Sequence, residues 1–385
     1  SVLDFLCNVL LSPTTQLSRP ASRTILKPCQ EDRDNLVEFM AAWEPLLREM
    51  LHNINMDHLV RQRMLNAYAS IAHSIRNPVR FGNILHKLLV AIQDRSSEVV
   101  SNRLEFSSLE EHDDYLLSMV SCVSEIAKAC QIPDELDTFY SGREQIQAVD
   151  QYWTEDPLKI RDSVLEIVHT FLFNGEFQLS QGNLLIIEKC CSILKAGLGE
   201  EICGPFVFST DIMLNFVLQK IDKSDISSAT LLYGLLESVV ICRQKELVQN
   251  PEKIQVLMKL VFSDRIAIIK QDPDLIQSVL SLFATVLEKK PVLLVQSPVF
   301  TDALLFSLEV LGAKELVVIK AALKFWLTLL SLKRGTAQDQ HITRNLLSDT
   351  PFGQHLVVSL FSSFLSAPRS HLEYYYQVFR NLITK

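Results

Sequence analysis

The residues able to do chemistry are scattered through the chain. Eight cysteines stand at positions 7, 29, 122, 130, 190, 191, 203 and 242. None forms a Cys-x-x-Cys pair, so neither a zinc ribbon nor a thioredoxin-like site is expected. Cys190 and Cys191 are neighbours, but adjacent helical residues point in different directions and make poor co-ligands. Buried free thiols in a reducing compartment are the expectation. Of nine histidines, the closest pair, His52 and His58, is six residues apart and shares no helix face. His169 and His355 fall inside apolar helical patterns and read as structural rather than metal-ligating. The chain lacks a Walker phosphate loop, G-x-G-x-x-G, H-E-x-x-H and G-x-S-x-G. We expect no catalytic centre, no cofactor and no metal.

Acids outnumber bases, 45 to 37, for a net charge of −8 and a pI near 5.7. That balance argues against a basic surface for nucleic acid or anionic membrane. Glu110-Glu111 and Asp113-Asp114 open a helix, where acids suit the macrodipole; an acidic rim for a basic partner is the other use. Six acids fall on or beside helices expected to line an inner wall: Asp162, Glu166, Asp211, Asp222, Asp302 and Glu309. Together they would attract basic protein cargo at long range, although an ordinary solvated face accounts for the same residues. Trp153, beside Tyr152 and close to Asp150, is a candidate surface anchor or a side chain tucked over neighbouring helices. Trp43 and Trp326 read as core.

The elements that carry these residues are helices. Apolar side chains recur at i, i+3, i+4 and i+7, as in Leu275, Ile276, Val279, Leu280, Phe283, Val286 and Leu287. Glycine is scarce, 11 in 385, and Asn-Gly occurs once, at 174–175, between two helical patterns. The signals place helices near 33–51, 57–76, 79–94, 109–130, 157–174, 181–197 and 207–221. Others follow near 227–247, 251–262, 273–290, 298–311, 315–332, 352–366 and 369–384. Asp156-Pro157, Asn250-Pro251 and Asp272-Pro273 each read as an N-cap before a first-turn proline. Two longer links remain, 95–108 and 131–156. The uncharged stretch Thr350–Pro368 is too interrupted to span a membrane and reads as a core helix.

At 385 residues, two or three compact domains would be ordinary. The helices instead pair into units starting near 181, 225, 273 and 315, the spacing of HEAT or armadillo arrays. A lone helix pair cannot bury its apolar face, so neighbours must stack. The expected fold is all-α: an α-α superhelix, or HEAT-repeat solenoid, of antiparallel helix pairs running through 1–385. The sequence opens at Ser1 without Met, directly into an apolar stretch, as a fragment of a longer chain would.

The stretch 272–332 reads DPDLIQSVLSLFATVLEKKPVLLVQSPVF, then TDALLFSLEVLGAKELVVIKAALKFWLTLLSL. It resembles the importin-β (karyopherin) family of nuclear transport receptors, in its transportin-3/importin-13 branch. GNLLIIEKCCSILKAGLGEE at 182–201 and FGQHLVVSLFSSFLSAPRSHLEYYYQVFRNLITK at 352–385 are similar to further helices of that branch. The resemblance covers roughly 157–385 and rests on the order and spacing of loose apolar motifs. It implies a receptor that holds protein cargo on a concave face and contacts FG-repeat nucleoporins through apolar slots between helices. It also implies exchange of cargo against the Ran GTPase, mainly through repeats N-terminal to this segment, and shuttling between cytoplasm and nucleus. The arginine cluster with which transportin-3 receives phosphorylated Arg-Ser domains has no counterpart here, so that cargo class does not carry over. The alternatives are a HEAT scaffold subunit of a regulatory complex and a helical non-catalytic domain of a large enzyme.

Overall fold

The structure, a computed structural model, describes residues 2–101, 104–173, 182–222, 224–348 and 351–384. Among these residues every regular element is a helix. The Asn-Gly pair at 174–175 lies outside the described residues. The chain divides into two compact units, Ser1–Phe208 and Ser209–Lys385. Each is a stack of antiparallel helix pairs, the arrangement of a HEAT-type solenoid.

The first unit begins with α1 (Val2–Leu10), α2 (Thr15–Glu31), α3 (Met40–His52) and α4 (His58–His73). It continues with α5 (Pro78–Val100), α6 (Leu109–Ala129), α7 (Leu136–Phe139) and α8 (Arg143–Glu155). The pair α9 (Ile160–Phe173) and α10 (Gly182–Lys195) completes it. Helices α2, α4, α6 and α10 lie side by side in one layer, and α3, α5 and α9 form the other. Capping sets the starts: Asp57, Asn77 and Ser108 accept the N–H groups of Val60, Arg80 and Glu111. Because α4 sits between α2 and α6, residues on nearly all its faces are buried, from Val60 to His73. Its Asn66 bridges the layer, accepting from Gln30 of α2 at 2.9 Å and donating to the Glu125 carboxylate of α6 at 3.1 Å.

Buried arginines fasten these pairs. Arg61, fully buried on α4, donates to the carbonyls of Met50 (2.8 Å) and Asn53 (2.5 Å), at the C-terminal end of α3. It also donates to Ser118 Oγ of α6 at 2.7 Å. Arg95 reaches the His52 carbonyl at 3.1 Å, and the Tyr115 hydroxyl donates to the Leu51 carbonyl at 2.5 Å. The last carbonyls of a helix have no intrahelical partner. Here guanidinium and phenol groups from neighbouring helices supply the missing donors.

The second unit begins with α11 (Thr210–Ile221), α12 (Ile226–Cys242), α13 (Gln244–Leu247) and α14 (Pro251–Val261). Next come α15 (Ile266–Ile269), α16 (Pro273–Lys289), α17 (Val292–Val295) and α18 (Phe300–Val310). It ends with α19 (Leu316–Ser331), α20 (Ala337–Ser348), α21 (Phe352–Leu365) and α22 (Leu372–Thr384). Helices α12, α16, α19 and α22 form one layer; α11 packs on α14 and α18 on α21. The core gathers Phe262 against Phe283 and Phe306, with ring centroids 5.0 and 5.4 Å apart, and Trp326 is fully buried. The same fastening returns: Arg265 donates to the Ile221 carbonyl at 2.5 Å and Tyr233 to the Val261 carbonyl at 2.6 Å.

Several expectations need correction. Helices α1 and α2 lie before the first expected one, and α2 runs through Pro20 and Pro28. A helix-interior proline costs about 3 kcal/mol, and packing on α4 overrides that penalty. Residues 95–100 continue α5, because Arg95, Ser96 and Val99 are buried, so the link begins at 101. The 131–156 stretch holds α7 and α8. Asp156 does not precede a helix start at Pro157. It has φ +44°, ends α8, and its carboxylate caps α9 by accepting the N–H groups of Ile160 and Arg161 at 3.0 and 2.9 Å. The α21 region is no core helix; Leu356 and Leu360 are buried while Val358, Phe361 and Leu365 are exposed. Trp43 is only half-buried.

Candidate protein-interaction surfaces

The six acids expected to receive cargo are all exposed, and they are divided between the two units. Asp162 and Glu166 stand one turn apart on α9 of the first unit. The other four belong to the second unit. There Asp211 is already paired with Lys253 at 2.8 Å, and Glu309 with Lys270 at 2.5 Å. Asp222 ends α11, and Asp302 lies in the first turn of α18. Both α11 and α18 pack in the layer opposite α12, α16, α19 and α22.

A denser acidic group forms at one end of the first unit, where the α3–α4 and α5–α6 links meet. Asp57, Glu110, Glu111 and Asp114 line a cleft of about 520 Å³ together with His58. Burial would raise the Asp57 pKa, but hydrogen bonds from Arg19 and the Val60 N–H hold it below the usual carboxylate value. Burial, and then Arg61, push His58 below an ordinary histidine. Sequence reading did not single out Asp57; nothing there places it in one cleft with Glu110, more than fifty residues on.

Trp153 is not a surface anchor. It is 2% exposed, edge-on to Phe81 at 5.7 Å, and its carbonyl accepts from Arg161 at 2.5 Å. Its place on α8 between apolar neighbours buries the indole. Close by, His73 stacks on Phe139 at 5.1 Å, and its Nδ1 has no hydrogen-bond partner. Burial, reinforced by Arg33 and Arg76, drives its pKa down to about 3. Sequence reading did not single out His73, since a histidine at a helix C-terminus ordinarily reads as a dipole partner.

Five of the eight thiols are packing groups. Cys29, Cys122, Cys130, Cys190 and Cys191 are buried, Cys7 and Cys203 are half-buried, and Cys242 is exposed. Burial pushes Cys29 up to about 11 and both Cys122 and Cys191 up to about 12. Among the described residues no group of three or more His, Cys, Asp or Glu is arranged to hold a metal ion. No described helix is long and apolar enough to cross a membrane.

These features define an all-α helical-repeat protein. No protein-family model matches the sequence, and no curated protein matches it. Among solved structures, the crystal structure of an engineered protein aligns over 100% of this chain and 99% of its own, at 12% identity and a TM-score of 0.37. A likeness that slight adds nothing to the helix packing described above.

Proposed function

We propose that this chain is part of a nuclear transport receptor of the importin-β type, which binds protein cargo and releases it without catalysis. What supports the reading is the agreement between the resembling blocks and whole helices. The block 272–332 runs from the α16 N-cap, where Asp272 accepts two N–H groups at 3.0 Å, to Leu332, the left-handed residue closing α19. The block 182–201 opens with α10, and 352–385 carries α21 and α22. The order and spacing that carry the resemblance are therefore the order and spacing of stacked helix pairs.

In this reading the exposed acids speed the approach of basic cargo. Apolar slots between adjacent helices take Phe side chains of FG-repeat nucleoporins, and Ran-GTP acts through repeats N-terminal to this segment. The test compares cargo capture by a receptor containing this chain, with and without GTP-bound Ran. Cargo capture that is indifferent to Ran would sink the transport reading. A scaffold subunit is the second reading, favoured by one observation: Lys253 and Lys270 already neutralise Asp211 and Glu309, two of the four acids the second unit would offer to cargo.

A further inference from the structure

The second unit contains a cleft of about 660 Å³ where the end of α19, one side of α20, the start of α21 and the end of α22 meet. Its floor is apolar and buried: Leu329, Leu332 and Leu356 are 1%, 4% and 0% exposed. Leu347 and Leu382 form half-buried walls, and Val357 stands on the rim, 40% exposed. Arg344, exposed beside the cleft, is the one charged side chain among its lining residues. No described acid pairs with it.

We propose that this cleft binds a short, extended apolar segment of a partner protein, with one carboxylate of that segment on Arg344. Three features select this occupant. A guanidinium with no described acid partner, beside an apolar floor, is complementary to an apolar ligand with a single acid, and its planar fork suits a carboxylate. The lining runs along α20 from Gln340 to Ser348, a rise of about 12 Å, which about four extended residues would fill. The exposed rim leaves one side of any occupant wet. That suits a peptide continuing into a larger protein, whereas a small amphiphile needs most of its surface enclosed. Gln340 and the Asn381 amide oxygen remain to meet peptide backbone groups. The site stands independently of the transport reading, because it uses neither Phe-Gly recognition nor Ran.

The probes are acetyl-Leu-Ile-Glu-Leu-Val-amide and the same peptide with Gln in place of Glu, titrated into the full chain by methyl NMR. The Glu peptide should shift the methyl signals of Leu347, Val357 and Leu382 and bind about tenfold more tightly than the Gln peptide. Arg344→Gln should erase that preference. Val357→Glu, which places a like charge on the rim, should abolish binding of the Glu peptide. Both substitutions are at exposed positions, so folding is retained and can be checked by circular dichroism. Equal binding of the two peptides, a preference that survives Arg344→Gln, or no shift at these three methyls would overturn the proposal. So would dodecanoate binding there more tightly than the peptide, which would assign the cleft to a small amphiphile.

Discussion

Replacing Arg61 by Met tests the fastening of helix pairs most sharply. Met keeps much of the aliphatic stem but removes every donor. The carbonyls of Met50 and Asn53 are then left without their guanidinium partner, as are Ser118 Oγ and His58 Nδ1, which lies 2.9 Å from Arg61 Nη1. A hydrogen bond to a charged group contributes roughly 1.5–3 kcal/mol, and bonds sharing one guanidinium do not add. Breaking a buried network by removing one partner costs about 3–5 kcal/mol, and that is the loss expected here. With a urea slope of about 2 kcal/mol/M, the midpoint for the first unit should fall by about 2 M. The assay follows Trp43 and Trp153 fluorescence, both in that unit, in a variant whose Trp326 is replaced by Phe. Arg19→Met is the control: its ion pair with Asp57 sits on a side chain 52% exposed, where solvent screens it, so the midpoint should barely move. Equal shifts for Arg61→Met and Arg19→Met would refute the claim that buried guanidiniums hold adjacent pairs together.

Acid should weaken the first unit through His73. Its folded pKa lies below the unfolded value, so its contribution is fully present above about pH 6.5 and is lost as pH falls toward 3, at about 1.4 kcal/mol per unit. His73→Phe should therefore show less loss between pH 6.5 and 4.5 than the parent, by about 2 kcal/mol; parallel profiles would refute this. Reversing Asp162 and Glu166 to Lys should slow association of a basic cargo in low salt, with the difference fading as salt rises; stopped-flow rates that do not change would remove these acids from cargo attraction. A thiol-reactive chromophore should label Cys242 first, while Cys122, Cys130, Cys190 and Cys191 react only on unfolding. Prompt labelling of all of them would mean the layers are not packed as described.

The repeat register was legible because it is written in apolar periodicity and caps. Unit starts expected near 181, 225, 273 and 315 fall at Gly182, Ile226, Pro273 and Leu316. Asp272 caps α16 as its place before Pro273 implies. Elsewhere the local code was overruled or silent. The polar helix α20 buries Asp339, which accepts from Gln296 at 2.9 Å, so no apolar stripe announces it. Only the reciprocal cap of Thr336 and Asp339 could have done so. The fastening arginines were equally hidden, since Arg61 meets a serine 57 positions away and looks like any surface arginine in sequence. For the acids, a cargo-lining wall and an ordinary solvated face both imply exposure, and the pairing was hidden because Lys253 and Lys270 lie about forty residues from their partners.

The most direct test of the transport account is titration of the full chain with a Phe-Gly-repeat peptide, followed by methyl NMR. The account predicts weak, saturable shifts confined to apolar side chains exposed between neighbouring helices, and their loss when each Phe of the peptide is replaced by Ser. An unperturbed spectrum at saturating peptide, or equal shifts from the Ser peptide, would contradict it.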